Sequence, residues 1–217
     1  MIDTHLHLID RSRLTYPWLA GVPALDRDAT YADYAQTAQR LGIVAALHME
    51  VDVAPDQIGA ETAWIAELMA APDSLIVGAI AAARPESSGF AAYLDGLDRR
   101  VVKGLRRVLH VVPDEMSQTA VFRDNIRRMG QAGLPFDLCV LARQLPIALD
   151  LVRACPDTVF VLDHCGVPDI AAGAFGSWAR DVAALAQHPN VMAKLSSYRP
   201  MPPPIGPMPI CVPMRTT

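Results

Sequence analysis

The chain has 217 residues, 52% of them hydrophobic and 19% charged, with a formal net charge of -4. That length supports one domain with a substantial core, and the apolar share excludes a disordered chain. The small net charge and scattered Lys and Arg exclude nucleic acid and membrane surfaces as expected partners, and no apolar run reaches the roughly 18 residues that span a bilayer.

Strand-like and helix-like segments alternate along the chain, the pattern of a parallel sheet covered by helices. The expected strands are Ile2 to Leu8, Ile43 to Val51, Leu75 to Ala81, Val101 to Val108, Phe136 to Leu141, Thr158 to His164 and Val191 to Ser196. A first strand starting at Ile2 leaves no room for a signal peptide, so a cytoplasmic location is expected. Six amphipathic helices are expected between the strands. Thr30 caps the first, whose Tyr34, Ala38 and Leu41 share a face before Gly42 ends it. Ile58, Thr62, Ile65 and Met69 line the second, and Phe90, Tyr93, Leu94 and Leu97 the third. Phe122, Ile126 and Met129, then Leu145, Leu149 and Val152, then Phe175, Trp178, Val182 and Leu185 mark the other three.

This length would suit an open doubly wound sheet, since an eight-unit barrel typically needs about 250 residues. The first turn argues otherwise, because His5, His7 and Asp10 stand where a glycine-rich phosphate loop would be. The expected fold class is therefore α/β, a TIM (β/α)8-type barrel that is incomplete, with about seven strands and six helices. Residues 1–198 form the partial barrel. The remainder, 199–217, is a proline-rich tail without helical or strand period, of the kind a GC-rich gene read out of frame encodes, so a truncation or frameshift near residue 198 is expected.

His5 and His7 lie two apart on the first strand and point to one face, where they can converge on one ion or one substrate carbonyl. On the second strand His48 and Glu50 share a face, with Glu50 nearer the C-terminal rim where barrel active sites form and His48 as much a packing candidate as a site candidate. On the fourth strand Gly104 leaves room for Arg106 to face inward and grip a substrate carboxylate; a surface ion pair through Arg107 is the plainer alternative. Asp163 and His164 follow an apolar strand directly and precede Gly166 and Pro168, the signature of a strand-end site. On the seventh strand Lys194 shares a face with Met192 and Ser196 and can reach the interior. Tyr16 and Trp18, in the long loop after the first strand, can line a pocket or pack. His110, His188 and the four cysteines, Cys139, Cys155, Cys165 and Cys211, lack ligand spacing and receive no role; reduced thiols are expected.

DTHLHL, GLRRVL, FDLCVLARQLPIALDLV, FVLDHCGVP and NVMAKLSSY, in this order between residues 2 and 198, resemble the amidohydrolase-related lactonases, a group that includes L-fuconolactonase and 2-pyrone-4,6-dicarboxylate lactonase. The resemblance implies a TIM barrel that hydrolyses a sugar lactone or dicarboxylate lactone. It places His5, His7 and His164 at the catalytic centre, with Arg106 binding substrate; Glu50 and Lys194, read from their strand positions, are the further substrate-binding candidates. It also implies an aspartate on an eighth strand, in a segment such as FGSDWP, which this sequence lacks. Related His-x-His barrels hold zinc or manganese in some groups and no metal in others, so one divalent ion on His5, His7 and His164, or none, is implied. A small-molecule substrate is the expected partner, and a homo-oligomer remains open. The alternatives are a metal-dependent decarboxylase of the same superfamily and an inactive scaffold whose first and seventh strands are open edges.

Overall fold

The computed structural model describes residues 1–170 and 172–196. Seven strands and six helices alternate: β1 (Ile2–Leu6), α1 (Tyr31–Leu41), β2 (Ala45–Met49), α2 (Ile58–Ala70), β3 (Ile76–Ala82), α3 (Phe90–Asp95), β4 (Val102–Val108), α4 (Ala120–Gln131), β5 (Phe136–Cys139), α5 (Leu145–Ala154), β6 (Phe160–Leu162), α6 (Phe175–Leu185) and β7 (Val191–Ala193). The sheet order is β1 through β7 without a reversal, and every neighbouring pair is parallel. A doubly wound sheet would reverse its order at a switch point, so this is the barrel topology. Among the described residues β1 and β7 do not pair with each other, and the barrel is incomplete. The expected tail, 199–217, and Cys211 lie outside the described residues.

Helix boundaries follow the local chemistry. The Thr30 hydroxyl accepts the Asp33 amide at the start of α1, and Gly42, at φ 68°, closes the other end where its N–H reaches the Ala38 and Gln39 carbonyls. Thr119 caps α4 in the same way through the Phe122 amide. The core lies between sheet and helices. Phe122, Phe136 and Phe160 stack edge to face, with centroids 6.1 and 6.3 Å apart, tying α4 to β5 and β6. A second apolar cluster around Leu6, Leu8, Ala46, Trp64, Ile65 and Ile76 joins β1, β2 and β3 to α2.

Several strands stop short of their expected ends: β1 at Leu6, β2 at Met49, β5 at Cys139, β6 at Leu162 and β7 at Ala193. The residues just beyond are His7, Glu50, Asp163, His164, Lys194 and Ser196. Two of these exits turn through left-handed backbone, with φ 47° at Asp52 and 52°, 49° and 45° at His164, Cys165 and Val167. Non-glycine residues there cost about 1–3 kcal/mol each, strain that characteristically gathers at functional sites.

Candidate active site

The strand exits converge on one rim of the sheet. His5 leaves β1 with its ring centroid 4.8 Å from His7 and 4.5 Å from His164, so β1 and the turn after β6 bring three imidazoles together. His5 and His164 are half-buried, and His7 keeps contact with solvent although its ring is packed within the cluster. The His7 Nδ1 lies 3.0 Å from the Met49 carbonyl oxygen, which can only accept; Nδ1 therefore carries the hydrogen and Nε2 the lone pair. The His164 Nδ1 lies 2.8 Å from the Ser196 hydroxyl, beyond the end of β7.

Beneath the imidazoles lies a network of five charged groups. Arg106 faces inward as expected, but its guanidinium is occupied: Nε donates to Glu50 Oε1 at 2.6 Å, Nη2 to the Glu50 carbonyl at 2.6 Å, and Nη1 to Asp163 Oδ2 at 3.4 Å. Glu50 also accepts the Asp52 amide at 2.7 Å. The Lys194 ammonium donates to Asp137 and stands 3.1 Å from Asp163 Oδ1 and 3.5 Å from His5 Nδ1. Glu50, Asp137 and Asp163 are each 1% exposed and Arg106 5%. Three carboxylates thus face two cations in a nearly dry centre.

Burial sets the protonation of these groups. It lowers His5 to about 2, helped by His7 and Lys194, and His7 to about 4, helped by Arg106. Burial lowers His164 as well, so all three imidazoles are neutral near pH 7. Burial pushes the Asp137 carboxyl up, against the pull of Lys194. For Arg106 burial opposes the charge, and Glu50 and Asp163 more than restore it.

Other expected candidates fall outside this centre. His48 is buried and packs against Trp64 of α2, with centroids 6.4 Å apart. Arg107 pairs with Glu86 at 3.0 Å on the helix side. Tyr16 is buried and Trp18 donates to the Val51 carbonyl at 2.8 Å, so both stitch the first loop to the sheet. His110 lies 3.6 Å from the Cys139 sulfur, whose thiol burial pushes up to about 12. Cys139, Cys155 and Cys165 are free. A cleft of about 510 Å³ opens beside the centre between the exits of β5 and β6, bounded by Leu141, Arg143, Val167 and Asp169; its lining includes none of the three imidazoles.

Asp137 was not singled out in the sequence. Its signal was there: it is a lone charge between Phe136 and Leu138, whose side chains face the helices, so alternation sends the carboxylate into the barrel.

A profile of the amidohydrolase family matches residues 2–213. The chain belongs to the amidohydrolase family. This amidohydrolase is 28% identical over 198 residues to the L-fucono-1,5-lactonase of Burkholderia ambifaria, an alignment covering 90% of this chain and 67% of the relative. It is similar to a Pseudomonas putida structure assigned as a 2-pyrone-4,6-dicarboxylic acid hydrolase, with a TM-score of 0.68 and 25% identity over 94% of this chain and 71% of the other. A Burkholderia multivorans amidohydrolase solved with bound zinc shares the fold, with a TM-score of 0.79 and 24% identity over 90% of this chain and 69% of the other.

A catalytic zinc site needs three protein donors within about 2.0–2.3 Å of one point. Among the described residues no three His, Cys, Asp or Glu side chains are so arranged. The three imidazoles meet as rings, and the Met49 carbonyl on His7 Nδ1 leaves the His7 Nε2 lone pair available, but His5 Nδ1 faces the Lys194 ammonium. As placed, the donor set does not fit a divalent ion. Among the described residues no helix is long and apolar enough to cross a membrane.

Proposed function

We propose that this amidohydrolase opens the ring of an uncharged lactone, a sugar 1,5-lactone being the representative substrate. The observation that carries the reading is the meeting of His5, His7 and His164 at one rim of the sheet, with the His7 tautomer set by the Met49 carbonyl. Family membership and the lactonase relative support it.

The chemistry follows from the neutral imidazoles. A water held in the cleft gives its proton to His7 Nε2 as its oxygen attacks the lactone carbonyl carbon. With Lys194 charged, His5 Nδ1 is an acceptor and Nε2 carries the hydrogen; that N–H has no partner among the described residues and donates to the developing oxyanion. The ring C–O bond then breaks, and His7 returns its proton to the leaving alkoxide, yielding a hydroxy acid. Arg106 and Glu50 hold the centre in place from beneath rather than touching substrate.

Charge selects among lactones. Arg106 and Lys194 are both committed to carboxylates, and on the rim Arg84 pairs with Asp52 at 3.2 Å and Arg143 with Asp114 at 2.6 Å. A dicarboxylate would meet no free cation among these, whereas a neutral sugar lactone meets no penalty. The decarboxylase alternative relies on a bound divalent ion, which the donor set does not suit.

A panel of sugar 1,5-lactones and 2-pyrone-4,6-dicarboxylate, followed with a pH indicator, tests the reading. Turnover is expected on sugar lactones, reduced by about 10²–10⁴-fold in H7N. It should fall as the pH drops through about 4, where His7 gains its proton and ceases to be a base. No hydrolysis above the buffer rate by folded protein, or a preference for the dicarboxylate, would overturn it.

A further inference from the structure

The inward face of the sheet carries one more polar layer above the charged network. Arg106 pairs in register with Asp137 and Val108 with Cys139, so Cys139 stands two residues, roughly 6.6 Å, nearer the C-terminal rim. Phe136, Leu138 and Val140 belong to the helix-side core, and Cys139 shares the opposite side with Asp137. Its sulfur lies 3.6 Å from the Nδ1 of His110, in the turn Leu109–Val111 that follows β4. Burial pushes the Cys139 thiol up to about 12, with Arg106, Asp163, Glu50 and Asp137 all acting on it, so the sulfur keeps its hydrogen and is no nucleophile. Burial lowers His110, which is neutral near pH 7, and His110 in turn adds to the burial that lowers His164. In a ring ordered β1 to β7, β4 and β5 stand across from β1, so this fourth imidazole faces the cluster of His5, His7 and His164 across the mouth. It is half-buried, anchored by Cys139 on one side and reachable from solvent.

We propose that His110 is a substrate-binding residue that reads a ring hydroxyl of the lactone, with Cys139 as the positioning residue that seats its imidazole. The inference rests on the lactone reading and deepens it, since it names what separates a sugar lactone from a bare one. A neutral imidazole offers one N–H and one lone pair, and a hydroxyl can answer either. An imidazole that loses water to a bound ring without gaining a hydroxyl is left with an unmade hydrogen bond, which disfavours a lactone lacking that group. Arg106 and Lys194 do not serve this purpose, because both are committed to carboxylates.

The ratio of kcat/KM for the best sugar 1,5-lactone of the panel to that for δ-valerolactone, which has the same ring and no hydroxyl, is measured in the full chain and in H110F. That variant keeps an aromatic ring against Cys139 and removes both nitrogens. The ratio is expected to fall about 10-fold, the worth of one hydrogen bond. If H110F does not fold, H110A takes its place with the same expected fall. H110Q, which restores a donor and an acceptor, should recover part of the ratio. A merely structural role would slow both substrates alike, and an unchanged ratio in a folded variant would overturn the inference while the lactone reading stands. Turnover of neither lactone by the folded wild type would overturn both.

Discussion

Arg106 shows how a single buried side chain organises the centre. Its guanidinium holds Glu50 with two short hydrogen bonds and touches Asp163, and all three groups are almost fully buried. Removing one partner of a buried ion pair costs about 3–5 kcal/mol, because the charge left behind has lost both water and counter-ion. R106M is therefore expected to lose stability on that scale in urea unfolding, since it strands Glu50 and leaves Asp163 with Lys194 alone. R106K keeps the charge but not the planar fork and should fall between R106M and the wild type. At this scale the sequence was informative wherever side-chain alternation applied. The shared face of His5 and His7 and the inward reach of Lys194 followed from period-two geometry, and alternation with the room left by Gly104 selected Arg106 over Arg107.

Among the elements, α4 is held against the start of β6 by an approach that only glycine permits. A Cβ on Gly130 would lie 2.9 Å from the Asp157 carbonyl oxygen and 2.9 Å from the Thr158 Cα, both backbone atoms that cannot swing aside. G130A gains helix propensity but must push α4 off the sheet, so a net loss of about 1–3 kcal/mol is expected, read as a lower midpoint in urea. The strand ends belong to the same scale. The chain leaves the ladder where it presents polar groups to the rim, and the left-handed turn from His164 to Val167 aims His164 at Ser196 and His5. Composition marks such exits only by their polar residues and following glycine; the backbone angles that aim the side chain depend on neighbouring strands.

For the whole molecule, buried titratable groups shape stability against pH from both sides. His5, His7 and His48 are held neutral by burial, at about 2, 4 and 3. Each has a folded value below the ordinary 6.5, so the unfolded chain takes up its protons first and stability is lost as the pH falls below about 6.5. Glu61 has the opposite sign. Burial, with Glu50 adding to it, pushes its carboxyl up to about 8 while it accepts the Val51 amide at 2.9 Å. Its contribution is complete below the ordinary carboxylate range and is lost as the pH rises toward 8. Thermal unfolding should therefore show a maximum near pH 6.5. E61Q, which retains an acceptor for Val51, should flatten the alkaline side and steepen the acid side between the ordinary carboxylate value of 4.5 and the maximum; an unaltered alkaline limb would count against this account.

The sequence alone determined that strands and helices alternate, that the first turn carries imidazoles instead of a phosphate loop, and that His5, His7, Glu50 and His164 stand at strand ends of one rim. These follow from periodicities that any neighbour respects: two along a strand, 3.6 along a helix. Tertiary structure alone decided who partners whom. It set Arg106 on Glu50 instead of an open fork, drew Asp137 into the centre, and put the Lys194 ammonium among the groups that the resemblance implied could hold a metal. The physical reason is that pairing among buried charges depends on distances between strands far apart in the chain. A few ångströms decide whether a cation meets a carboxylate, a substrate or an ion.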